Sequence, residues 1–162
     1  MIWFRRLFFT LVAIAMLQVI YYYPQMPDVV ASHFDGRGAP NGWASRNGFF
    51  GIYLAMILIL IAVFVLVPRW AESGSRFAMK IPHREYWLAP ERIEQTRAFL
   101  RRQMLVIGSA HLLLMIYAIQ LAIMANFELE PRLHPSIGWA LALYFVALVA
   151  WLIHLFRYFR KP

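Results

Sequence analysis

Cysteine is absent from the 162-residue chain, which excludes disulfides, thiol catalysis and cysteine-ligated metal. Charge is scarce as well. Asp, Glu, Lys and Arg make up 15% of the residues, bunched between apolar runs instead of spread as a soluble surface requires. The long apolar runs hold no Asp, Glu, Lys or Arg. That argues against proton-coupled multidrug transport by a four-helix protein, whose chemistry needs an intramembrane carboxylate. Gly36, Arg37 and Gly38 lack the lysine and following helix of a phosphate loop. A hydrolytic set of Ser32, His33 and Asp35 fails on geometry, because sequence neighbours do not line up as nucleophile, base and orienting group. No catalytic residue, metal site or cofactor is assigned on these grounds, and the enzyme question stays open, leaning to no.

What is present is apolar. The hydrophobic fraction is 62% without glycine, against roughly 45–50% with glycine in soluble domains. A chain this small cannot hide so much apolar surface in its own core. Lipid is the natural solvent. The net charge of +8 would point to nucleic acid in a soluble protein, but here the basic residues sit at the ends of apolar runs, where anionic headgroups lie. Nucleic acid is therefore not expected as a partner, and the bilayer is.

Four runs are long enough to span. Leu7 to Tyr23, broken only by Thr10 and Gln18, extends roughly 26 Å as a helix. Phe49 to Val67 is the second, with Pro68, Arg69 and Trp70 marking its exit. Met104 to Phe127, carrying Ser109, His111, Gln120 and Asn126, is the third, and Ile137 to Phe156 the fourth. The expected fold is an all-α integral membrane protein with four transmembrane helices and an amphipathic cytoplasmic helix before the third. A cleaved signal peptide competes for the first run, since Arg5 and Arg6 precede it and small residues Val29 to Ala31 stand before Ser32. The run exceeds the usual signal core, and Tyr21, Tyr22 and Tyr23 read as an interfacial belt. Small-residue pairs four apart, Gly51 with Ala55 and Gly138 with Ala142, mark stripes where a neighbouring helix could approach, in this chain or in a second copy.

Thirteen of the sixteen basic residues fall at the N-terminus, in the segment from Pro68 to Gln103, and in the tail. Only Arg37, Arg46 and Arg132 lie on the other side. The asymmetry places both termini and the long middle segment in the cytoplasm. The domain plan is a two-span unit over 1–67 with an outside loop at 24–48, a basic cytoplasmic segment over 68–103, and a two-span hairpin over 104–162. In the basic segment Pro90 is placed as the first helical residue, with Glu91 and Glu94 following and Arg101 and Arg102 further on. Ile93, Thr96 or Arg97, Leu100 and Met104 form its apolar stripe. A lead-in helix resting on the membrane is one reading. A docking surface for a cytoplasmic partner over 83–102, centred on His83, Arg84, Glu85, Tyr86 and Trp87, is the other.

Outside, Pro24 and Pro27 stop the first helix. Val29 to Phe34 is short and β-branched at its start, which predicts an extended segment. Asp35 to Gly38 and Ala39 to Gly42 each read as a turn. Trp43 and Arg46 fit re-entry into the headgroup region, with Ser45 or Asn47 capping the second helix. His33 and Asp35, two apart on an extended segment, point the same way, so a metal could use both with Asp28 or His134. A lone histidine in a turn-rich loop reads first as a hydrogen-bonding residue that fixes the loop. Within the membrane, Gln18 and Gln120 lie at similar depths and are expected to bond to each other, while His111 needs a partner of its own.

The order Met26, Pro27, Asp28, Val30, His33, Phe34, Gly38, Pro40, Asn41, Trp43, Ser45, Arg46 resembles the signature of a small bacterial membrane domain of unknown function, the 1648 family. That domain also forms the N-terminal part of the immunity protein against the sporulation-delaying toxin of bacilli. The resemblance covers roughly Leu7 to Val67, and departs at Ala31, where a second proline is usual, and at Arg46, where lysine is usual. Its loop residues are Pro27, Asp28, His33, Phe34, Asp35, Gly38, Pro40, Asn41, Trp43 and Arg46. A shaped outside loop on a scaffold that lacks catalytic groups points to a multi-pass protein of the bacterial inner membrane, a recognition, sensing or immunity-type accessory that meets an exported peptide or protein through that loop. A metal-dependent membrane enzyme centred on His33, or a small transporter, is the alternative.

Overall fold

A computed structural model describes residues 1–68 and 81–160. Arg69, Trp70, Arg76, Lys80 and Lys161, which contribute to the charge asymmetry or mark a span exit, lie outside the described residues. The elements run α1 (Ile2–Tyr22), a 3-10 turn (Tyr23–Gln25), β1 (Val29–Phe34), β2 (Pro40–Ser45), α2 (Arg46–Ile61), a π-helical turn (Ala62–Leu66), a short α3 (Arg84–Trp87), α4 (Ile93–Ala125) and α5 (Ser136–Arg160). Four helical stretches, Ile2–Gln25, Arg46–Leu66, Ile93–Ala125 and Ser136–Arg160, are long and apolar enough to cross a membrane. The chain is a multi-pass membrane protein.

The all-α expectation needs one correction. Between α1 and α2 the chain forms an antiparallel two-stranded hairpin, with Val29 opposite Ser45, Val30 opposite Ala44 and Ala31 opposite Trp43. The Asp35–Gly38 turn closes it, the Gly38 amide donating to the Asp35 carbonyl at 2.9 Å. The second expected turn, Ala39 to Gly42, is instead the start of β2. Proline is tolerated at the first residue of an edge strand, and glycine where another backbone approaches closely. At Gly42 it is the His33 side chain that leaves no room, since a Cβ there would lie 3.0 Å from the His33 Cβ.

α4 is the central column. Its 33 residues extend about 50 Å at about 1.5 Å per residue, well beyond a hydrocarbon layer of about 30 Å. Its first turns therefore project past the apolar slab and carry Arg97, Arg101 and Arg102. It begins at Ile93, not at Pro90; Pro90 lies in a turn closed by the Arg92 and Ile93 amides on the Ala89 carbonyl, each at 2.9 Å. Its buried face in this lead-in is Thr96, Phe99 and Gln103: of the expected stripe of Ile93, Thr96 or Arg97, Leu100 and Met104, Thr96 is buried, and the rest of the buried face lies one residue before Leu100 and Met104. Aromatic stacking decides the face: Phe99 lies flat on Tyr158 of α5 with centroids 3.6 Å apart.

One side of α4 packs on α1 and on the π turn; the other packs on α5. The core holds Phe8, Leu11, Ala15, Val19, Phe49, Phe50, Tyr53, Ile57, Leu105, Leu112, Met115 and Ile123, and it continues into the hairpin through Met26 and Val30. The small-residue stripes are not used among the described residues, as a Cβ at Gly51 or Gly138 would meet nothing of them within 4 Å. The close approach occurs at Gly108, where a Cβ would lie 2.7 Å from Phe64 Cγ. Phe64 belongs to the π turn, a local widening of the helix.

α5 is attached by polar and aromatic bridges spaced along one face. Tyr117 Oη donates to Ser136 Oγ at 2.7 Å, and Trp151 Nε1 donates to Gln103 Oε1 at 2.9 Å. Between them, His111 gives its Nδ1 hydrogen to the Ile107 carbonyl at 2.9 Å, which leaves Nε2 to accept from the Tyr144 hydroxyl at 2.8 Å. His111 thus finds its partner on α5. Where lipid competes equally for apolar surface, such bonds hold helices together at about 0.6–2 kcal/mol each.

Candidate functional site

The candidate site is the hairpin and the bundle end beneath it. Its register explains how it is fixed. The Arg46 amide donates to the Asp28 carbonyl at 2.8 Å, so alternation along an antiparallel pair makes Val30 and Ala44 the next hydrogen-bonded pair and turns the peptide groups of Ala31 outward. Asn126, the residue that ends α4, takes up both of those groups: the Ala31 N–H donates to its Oδ1 at 2.7 Å, and its Nδ2 donates to the Ala31 carbonyl at 2.9 Å. One side-chain amide thereby pairs with the strand edge as a third strand would.

Further bonds complete the mounting. Arg46 Nη1 donates to the Met26 carbonyl at 2.8 Å, Nη2 lies 2.9 Å from Asp28 Oδ1, and the guanidinium sits 5.2 Å from the centroid of the Tyr23 ring. Tyr23 Oη donates to Asn47 Oδ1 at 2.7 Å. Ser45 caps α2, its Oγ accepting from the Gly48 amide at 3.1 Å, one of the two capping residues expected. Asp35 shapes the turn, Oδ1 accepting from the Arg37 and Ala39 amides at 2.8 and 2.9 Å. Gly38 has φ +79° and its carbonyl accepts from the Leu133 amide at 2.9 Å. Both the backbone angle and a Cβ 2.6 Å from the Leu133 carbonyl oxygen require glycine there.

The parts of the Arg46 mount differ in weight. Asp28 is 90% exposed, so its ion pair contributes about 0–1 kcal/mol. Met26 is 2% exposed, and a charged donor to such a buried carbonyl is worth about 1.5–3 kcal/mol. Replacing Arg46 with alanine is expected to lower stability by about 1–2 kcal/mol, lysine by less, and Asp28→Asn by under about 0.5 kcal/mol. Chemical unfolding in mixed micelles reads all three.

The residues grouped as a metal site are spent separately. His33 is exposed, with Nδ1 3.1 Å from Ser32 Oγ; Asp35 holds the turn; Asp28 meets Arg46; His134 Nδ1 accepts from the Ser136 amide at 3.2 Å. Among the described residues no three His, Cys, Asp or Glu side chains come together. What the hairpin displays is Trp43, 56% exposed, with Val29, His33, Asn41 and Arg37 also exposed, while Phe34 packs against the core.

Gln18 and Gln120 meet as expected, with more company than sequence depth could suggest. Gln18 Nε2 donates to Gln120 Oε1 at 2.8 Å and to the Ile116 carbonyl at 3.2 Å, while its Oε1 accepts from Tyr53 Oη at 2.6 Å. Gln120 Nε2 in turn donates to Tyr22 Oη at 3.0 Å. At the other end of the molecule the segment read as a docking surface is partly occupied. Trp87 Nε1 donates to the Phe159 carbonyl at 3.2 Å and its ring stacks on Tyr158 at 5.0 Å.

Asn126 is the residue whose role the sequence leaves open. It stands out there only as a polar residue near the end of a span; its pairing with Ala31 joins positions 95 apart, and no local pattern encodes that.

Residues 10–57 match the family described as domain of unknown function (DUF1648). The matched region takes in most of α1, the whole hairpin and most of α2. No curated protein and no solved structure matches the chain.

Proposed function

We propose that this is a recognition, sensing or immunity-type accessory of the bacterial inner membrane, with both termini and the basic segment cytoplasmic and the hairpin facing outward. The observation that carries the reading is the mounting of the hairpin. A two-stranded hairpin alone is marginal in water. This one is tied to α4 through Asn126, to the end of α1 through Arg46 and Tyr23, and to the α4–α5 connection through Gly38.

So many constraints suit a surface that must hold one shape for a partner, because a preordered contact loses less entropy on binding. Trp43, large and exposed on that surface, is the type of side chain that anchors interfaces. The charge asymmetry supports the orientation. An exported peptide or protein at the hairpin is the partner of this reading; a cytoplasmic partner over 83–102 would meet exposed residues such as His83, Arg84 and Glu85 and not Trp87, which is packed.

A photoreactive residue placed at position 43 tests the proposal. Ultraviolet crosslinking in growing cells should give a discrete adduct to an exported peptide or protein, absent when the same group stands at position 143 on the apolar face of α5. Adducts to lipid alone, across growth phases, would count against recognition by the hairpin.

A further inference from the structure

The groove between α1 and α4 encloses about 820 Å³ and opens to the side of the bundle. Ile14, Leu17, Leu113 and Ile116 line it, with Gln120 and Tyr22 at its polar end. The donor count at that end does not balance. The Tyr22 hydroxyl oxygen accepts from Gln120, which leaves the hydroxyl hydrogen unassigned. Gln120 Nε2 carries two hydrogens, and Tyr22 takes one of them. Two hydrogens are thus left over at the mouth of an apolar channel, and no acceptor among the described side chains takes them. Unmet polar groups facing hydrocarbon are costly.

A second groove, about 470 Å³ between α4 and α5, makes the comparison. It too is lined by tyrosines, Tyr117 and Tyr144, but their hydroxyls are committed to Ser136 and His111. That groove offers shape and no free donor. The α1–α4 groove offers both.

We propose that the α1–α4 groove is a site for a membrane diester phospholipid, one acyl chain lying along Ile14, Leu17, Leu113 and Ile116 and its ester carbonyl accepting from Tyr22 and Gln120. The depth agrees. Tyr22 is the last residue of α1, and Gln120 lies five residues before the end of α4. Both stand at the hairpin end of the spans, where the chains of that leaflet join their ester groups. An ester carbonyl is a pure acceptor, which is the chemistry the unbalanced donors require. The site lies under the hairpin and does not depend on what the hairpin binds.

The test compares a diester phosphatidylcholine with its diether analogue, matched in chains and headgroup, added to the detergent-purified full chain and counted by native mass spectrometry. The diester should be retained roughly three- to tenfold more strongly, the worth of one or two hydrogen bonds in lipid. Tyr22→Phe, which removes one of the two donors and leaves Gln120, should weaken that preference by roughly threefold. Leu17→Trp, which fills the groove without touching the amides, should lower retention of both lipids and serves if Tyr22→Phe fails to fold. Equal retention of diester and diether by the native chain, or unchanged retention by Leu17→Trp, would overturn the proposal.

Discussion

Replacing Asn126 with alanine is expected to detach the hairpin from the bundle. Ala31 is fully buried, and the substitution strips the partner from both its N–H and its carbonyl. Leaving a buried polar group unmet costs about 1–3 kcal/mol, so the pair amounts to roughly 2–6 kcal/mol if the hairpin stays in place. The cheaper course for the chain is to let β1 lift into water. Hydrogen exchange should therefore show protection lost over Val29–Phe34 and kept along α4. Asn126→Leu, which keeps the γ-branched shape and removes the bonds, should behave like alanine. Asn126→Asp should not restore docking, because it keeps the acceptor for the Ala31 N–H but turns an oxygen toward the Ala31 carbonyl. If the Asn126→Leu variant protected β1 as well as the native chain does, packing and not the amide pairing would be what holds the hairpin.

Enlarging Gly108 is the second large effect. A Cβ there would meet Phe64 Cγ at 2.7 Å and Phe64 Cβ at 2.9 Å, and the second of these atoms cannot swing away. Gly108→Leu should push the π turn off α4 at a cost of roughly 3 kcal/mol, the upper end of ordinary overpacking. The disturbance should reach His111, whose ring centroid lies 5.3 Å from that of Phe64. In a Phe64→Ala background the same substitution should cost at least about 1 kcal/mol less, because residues in contact are not additive. Unfolding in mixed micelles of the two single variants and the double variant measures that coupling. A coupling of zero would mean that the two helices do not meet at this point.

Those two residues show where the sequence is readable and where it is not. The spans are legible because lipid imposes length and apolarity locally, and the Ser45 cap is legible because a capping side chain acts within three residues. The extended segment at Val29 announces itself through β-branching. Its partner strand does not: Pro40, Asn41 and Gly42 are turn formers by type, and only the pairing of Pro40 with Phe34 at the strand's start and the approach of His33 to Gly42 show how a strand accommodates the first and last of them. Among the helices, the small-residue pairs do not mark the contacts made within the described residues. Gly51 and Gly138 face open space, and the real contact uses a lone glycine opposite one ring, a juxtaposition across two spans that carries no spacing signal.

The start of α4 departs from the sequence expectation for a related reason. Pro90 has the right local chemistry to begin a helix, but Arg92, at φ −120°, leaves the helical conformation and becomes the cap from which α4 starts at Ile93. The candidate site is legible as a set of residues and not as an arrangement. His33 and Asp35 attract attention as chemistry-bearing types, yet the structure gives Asp35 to a turn and Asp28 to Arg46. Asn126 and Gly38, which fix the hairpin, act on residues far along the chain, Ala31 and Leu133.

The absence of cysteine makes the decisive measurement simple, since any introduced thiol is the chain's only one. Trp43→Cys and Pro90→Cys are each expressed in intact cells and exposed to a membrane-impermeant maleimide, before and after permeabilisation. A hairpin that faces outward for recognition predicts labelling at position 43 in intact cells, and at position 90 only after permeabilisation. The reverse pattern, or protection of position 43 in both conditions, would contradict it.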